Sequence, residues 1–227
     1  MHALYQIFVW KAALGESPGG IHMANTIDTR TKTLRLVQLA FLTALVAVLQ
    51  LLSYYIATPN FSLSLVLLPI MIGGVLLGPG AGAFLGGVFG IVTFIACAAG
   101  LDKSGLLLFT ISPMLTFAIC FVKGVLAGLV SSLVYKLMYK LTKKRLLPSV
   151  LVASAFTPLV NTLVFYLGMI LFFRPTLTEW AGGTDILTFV FLALIGVNFV
   201  VEFLINVILC PILSLALSKT KRLRNQF

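Results

Sequence analysis

Charge is scarce in this 227-residue chain, where Asp, Glu, Lys and Arg together make up 10% of the residues. Acid is scarcer still, with six Asp and Glu against sixteen Lys and Arg. Histidine occurs only at His2 and His22, so no histidine is available in the body of the chain to activate a nucleophile or bind a metal. The cysteines are Cys97, Cys120 and Cys210, whose number and spacing give neither a disulfide framework nor a zinc site. They read as small buried hydrophobes. No G-x-x-x-x-G-K-[ST] run occurs, which excludes ATP hydrolysis by the P-loop route, so any energy must come from elsewhere. An intramembrane protease or transferase needs paired acids or a Ser/Lys or Ser/His arrangement, and neither is found. The expectation is no catalytic residue, no metal and no cofactor bound by this chain.

Apolar sequence is what the chain has instead: 60% of residues are hydrophobic and the mean hydropathy is +1.11. That composition belongs to a polytopic membrane protein. At about 20 apolar residues per crossing, six spans fill the chain. They are expected near residues 36–57, 62–78, 81–98, 112–138, 149–173 and 187–216, an all-α membrane protein without a separate soluble domain. The basic residues cluster at Arg30, Lys32 and Arg35, at Lys136, Lys140, Lys143, Lys144 and Arg145, and at Lys219, Lys221, Arg222 and Arg224. With six spans all three clusters fall on one side, and the positive-inside rule makes that side, and both termini, cytoplasmic. The net charge of +10 therefore sets topology and does not imply a nucleic-acid partner.

The expected organisation is a polar cytoplasmic leader over residues 1–35, a six-helix substrate-binding domain over 36–217 and a basic cytoplasmic tail over 218–227. Residues 1–22 lack the pattern of a signal peptide, and with Met23 following them they read as an upstream start or added sequence without a function of their own. Leu68 to Gly90 contains eight glycines among apolar partners, which predicts closely packed membrane helices. Gly73, Gly74, Gly82, Gly86, Gly87 and Gly90 read as contact faces. Gly78-Pro79-Gly80 ends one helix and turns into the next, a helical hairpin.

Polar residues at membrane depth are functional candidates by default. Glu202 is the one carboxylate well inside a span, and Asn198, Glu202 and Asn206 recur every four residues on one helix face. Lys123 is the one cation at depth, and Asn161 lies at a similar level. Asn198, Glu202, Lys123 and Asn161 are expected to converge in the middle or outer half of the bundle. Tyr54, Tyr55, Tyr166 and Trp180 stand near the outer ends, as pocket wall or interfacial belt. The alternative is a Lys123–Glu202 ion pair with the asparagines as interhelical glue.

These residues carry a resemblance. The run Leu68 to Gly90, then Ser112-Pro113, Pro158-Leu-Val-Asn161-Thr162, and Val201-Glu202 ahead of Cys210-Pro-Ile-Leu, resembles the S component of an energy-coupling factor (ECF) transporter, closest to the pantothenate type. The resemblance covers Arg35 to Lys219. It implies a membrane subunit of the prokaryotic cell membrane that captures a vitamin-like molecule from outside. It also implies partners: one transmembrane coupling protein and two ATPases, which use the ATP. The family's coupling contact, Ala-x-x-x-Ala in the first helix, maps onto Ala40 and Ala44. Pantothenate is the expected substrate, with Lys123 on its carboxylate and Asn161, Asn198 and Glu202 on its amide and hydroxyls. Tyr55 and Tyr166 complete the expected site. The alternatives are an S component for a pyrimidine, pyridine or folate-type compound, an autonomous secondary carrier, and a structural membrane subunit.

Overall fold

The computed structural model describes residues 18–56 and 65–224, with side chains described over 32–55, 65–192, 196 and 199–216. The chain divides into two units, Met1–Ala40 and Phe41–Phe227. Among the described residues every regular element is a helix: α1 (Pro18–Ile56), α2 (Leu67–Leu77), α3 (Pro79–Ala98), α4 (Lys103–Ile111), α5 (Pro113–Leu141), α6 (Leu146–Phe172), α7 (Arg174–Ala181), α8 (Ile186–Ile195) and α9 (Val197–Arg224).

Five of these helices hold stretches long and apolar enough to cross a membrane: residues 32–55, 79–98, 113–141, 146–172 and 199–216. The chain is a multi-pass membrane protein. The span expected at 62–78 appears as α2, whose 11 residues rise about 16 Å, half a hydrocarbon core. Residues 62–64 of that expectation lie outside the described residues. The span expected at 187–216 is divided at Gly196 into α8 and α9, where a continuous helix was expected. Two short helices, α4 and α7, stand between spans where the apolar pattern marked none.

The hairpin between α2 and α3 has a local cause. Gly78 sits at φ 102°, a backbone region open to glycine, and its N–H caps α2 by donating to the Gly74 carbonyl at 3.1 Å. Pro79 then starts α3 at the first helical position, where its missing N–H costs nothing.

Helix α5 is the hub, packing against α2, α3, α4 and α6. Its seam with α3 is made of backbone. A Cβ built on Gly82 would meet the Gly128 carbonyl, one on Gly86 would overlap the Gly124 carbonyl oxygen, and one on Gly90 would meet the Cys120 carbonyl. These pairs descend one helix as they climb the other, so α3 and α5 run antiparallel at glycine-limited distance. Ser132 adds a hydroxyl to the seam that donates to the Gly128 carbonyl at 2.5 Å.

On the other side of the hub, α6 packs between α5 and α9, and α9 packs on α6 and α2. Leu68, Met71, Val150, Ala153 and Cys210 join α2, α6 and α9, and Leu108, Ile119, Met169, Phe173 and Leu177 join α4, α5, α6 and α7. The outward faces are apolar too, with Met114, Leu171, Phe191 and Ile208 exposed, as a lipid solvent permits. On α1, residues Leu42, Val46 and Gln50 form one buried stripe at four-residue spacing, while Ala44 and Val48 are exposed.

Candidate functional site

A cavity of about 40 Å³ lies at the end of the bundle that carries α4. Its wall is built from Thr93 and Cys97 of α3, Asp102 before α4, Ser104, Gly105 and Leu108 of α4, Thr116, Ile119, Cys120 and Lys123 of α5, and Phe165 of α6. Close helix packing explains why these elements meet. Gly105 of α4 lies against Cys97, and Gly168 of α6 lies against Ile119.

Lys123 lies ten residues past Pro113, or about 15 Å along α5. Its ammonium stands 5.0 Å from the Phe165 ring centre and 5.8 Å from that of Phe89. Two ring faces stabilise a cation by roughly 0.5–2 kcal/mol each without consuming its hydrogen-bond donors. Among the described residues Lys123 makes no ion pair. Also in the wall, Asp102 caps α4, its Oδ1 accepting the Gly105 N–H at 3.1 Å, so its carboxylate is positioned by the helix start. The wall thus offers one ammonium, one carboxylate and the hydroxyls of Thr93, Ser104 and Thr116. Thr93 and Thr116 direct their own hydrogens to the Phe89 and Ser112 carbonyls, at 2.8 and 2.9 Å, and face the cavity as acceptors.

Of the residues expected at the site from sequence, the structure places Lys123 in this wall. Asn161 lies on the same α6 face as Phe165, one turn along, and its buried Oδ1 has no partner among the described residues. Tyr166 packs edge-on against Phe165, ring centres 5.3 Å apart, within the α5–α7 cluster beside the cavity. Tyr55 is 78% exposed at the end of α1. Glu202 is partly buried on α9, which packs on α6 and α2, and among the described residues the structure does not bring it together with Lys123. Asn198 lies on α9, its side chain outside the described residues. Asn206 is fully buried and spends its amide within its own helix, donating to the Glu202 carbonyl at 2.9 Å. Ala40 and Ala44 are both exposed.

Asp102 is the charged wall residue that depth within a span does not pick out. It lies between spans, and an Asp three residues ahead of Gly105 carries the signal of a helix cap. Cys97 and Cys120 are buried, as expected of small hydrophobes, and both also line the cavity. Among the described residues no group of three or more His, Cys, Asp and Glu is placed to hold a metal.

A family profile described as the ECF transporter substrate-specific component matches residues 34–214. The chain belongs to that family. As an S component it is a transporter subunit that binds substrate, and the family is not one of enzymes. Membership implies a small-molecule substrate and association with ECF coupling and ATPase components. No individual curated protein matches the S component at a significant level.

Proposed function

We propose that this S component captures a water-soluble, carboxylate-bearing vitamin or precursor, pantothenate first among them. The observation that carries this reading is Lys123, a cation in the cavity wall resting on aromatic faces with its hydrogen-bond donors available. A ligand carboxylate supplies the charge-assisted bonds that two rings do not. Pantothenate also carries an amide and hydroxyls, which suit the acceptors Asp102 and Thr93 of the same wall. A pyrimidine or pyridine compound read by Glu202 is disfavoured by the placement of Glu202 on α9, away from this wall.

At about 40 Å³ the cavity has room for a few waters, whereas small-molecule sites measure roughly 300 Å³ or more. Substrate entry therefore requires the wall to open. Helix α4 is the element that moves: it buries only Gly105 and Leu108 and is bounded by Gly100 at φ 74° and extended Ser112. Opening exposes Asn161, whose carbonyl oxygen then takes a substrate hydrogen, with Tyr166 and Tyr55 toward the entrance.

The basic connection at residues 142–145 lies at the opposite end of the bundle from the cavity. By the positive-inside rule that end and both termini are cytoplasmic, with six crossings in a prokaryotic cell membrane and the cavity facing outward. Ala40 and Ala44, exposed and one helical turn apart, form the small-residue face that meets the coupling protein. In proteoliposomes the chain alone is expected to give no concentrative uptake of pantothenate. Addition of the coupling protein, both ATPases and ATP restores uptake, and Ala44→Leu abolishes it while leaving binding intact. Uptake by the chain alone would favour an autonomous carrier.

A further inference from the structure

Gln50 lies at membrane depth on the buried stripe of α1 and is 5% exposed. Its Nε2 donates to the Tyr54 hydroxyl at 2.7 Å and to Thr93 Oγ1 at 3.3 Å. A threonine hydroxyl has one hydrogen, and that of Thr93 goes to the Phe89 carbonyl at 2.8 Å. Toward Gln50, therefore, Thr93 acts only as an acceptor, which fixes the amide with nitrogen toward Thr93 and Oε1 at its other corner. That oxygen is buried and has no partner among the described residues. Folded proteins rarely leave such an acceptor without a donor, and each case calls for an explanation.

Thr93 is itself a wall residue of the cavity, and Gln50 reaches it from behind through Nε2, so that a substrate meets Oε1 once the wall has opened. We propose that Gln50 is a specificity-determining residue of this cavity, its carbonyl oxygen accepting a hydroxyl or amide hydrogen from the bound substrate. The proposal rests on the substrate-binding reading above and deepens it. A site with a buried acceptor rejects analogues that lack the matching donor, because their binding leaves the acceptor unpaired. Asn161 Oδ1, equally buried and unpartnered beside Phe165, gives the site a second acceptor of the same kind. Together they select a ligand with one anionic end, for Lys123, and hydrogen-bond donors along its length.

Gln50→Met keeps the length and apolar volume of the side chain and removes both ends of the amide. Two quantities are measured on the purified full chain: the melting temperature without ligand, and the Kd for pantothenate. The expected variant melts at or above the wild-type temperature, because the unmet carbonyl is gone, and binds pantothenate at least about tenfold more weakly. A variant that melts several degrees lower marks Gln50 as a structural strut and overturns the proposal, whatever its affinity. An unchanged Kd overturns it as well. If the wild-type chain binds no pantothenate, the choice of substrate fails by itself and the melting temperature alone decides the role of Gln50.

Discussion

Gly86→Val is expected to yield no monodisperse, cooperatively melting protein, whereas Gly80→Ala melts at or above the wild-type temperature. The two glycines are six residues apart on α3 and differ in what faces them. A Cβ on Gly86 would overlap the Gly124 carbonyl oxygen, and a Cβ on Gly124 would in turn overlap the Gly86 carbonyl oxygen. Nothing lies within 4 Å of a Cβ built on Gly80. Helix propensity pulls the other way, since replacing a helical glycine by alanine gains about 1 kcal/mol. Overpacking costs about 1–3 kcal/mol where side chains adjust, and here the colliding atoms are backbone on both sides. Relief requires α3 and α5 to separate, which opens the seam from Gly82–Gly128 to Gly90–Cys120. Against a typical total stability of about 5–15 kcal/mol, that loss removes the fold. Size-exclusion elution and a thermal melt of the two variants check the contrast, and a well-folded Gly86→Val protein would refute the account of the seam.

Lys123→Ala is expected to weaken pantothenate binding roughly 10–100-fold, since a hydrogen bond to a charged group is worth about 1.5–3 kcal/mol. The fold should tolerate the change. Lys123 is partly buried, and its described contacts are the Phe89 and Phe165 ring faces, so truncation leaves no partner charge stranded. The alcohol analogue of pantothenate, which lacks the carboxylate, should bind wild type and variant alike. Titration of both ligands against both proteins separates a charge effect from a packing effect. Equal losses for the two ligands would make Lys123 a packing residue.

Periodicity and breaker residues made parts of this architecture legible. Gly78-Pro79 predicts a helix end followed by a helix start, because positive φ and a missing N–H are each tolerated at one position only. The placement of Lys123 was legible for a similar reason: a lone cation about 15 Å into an apolar helix is a candidate to face the interior of the bundle, and it lines the cavity. The stripe Asn198, Glu202 and Asn206 illustrates the limit. A four-residue repeat identifies a shared helix face but carries no information on which neighbour covers it. Helix α9 packs on α6 and α2 and makes no contact with α5, the helix of Lys123, among the described residues. The short helices α4 and α7 were missed because nine and eight residues give too little apolar periodicity to stand out. Gln50, an amide in the middle of an apolar span, carries the same sequence signal as Asn161.

The central claim is that this chain, without its partners, binds a small carboxylate-bearing molecule. Equilibrium binding of radiolabelled pantothenate to the purified chain in detergent tests it most directly. The account predicts saturable binding at one site per chain, competed by unlabelled pantothenate. Absence of saturable binding to the folded chain, for pantothenate and for any small carboxylate released from it and identified by mass spectrometry, would contradict the account.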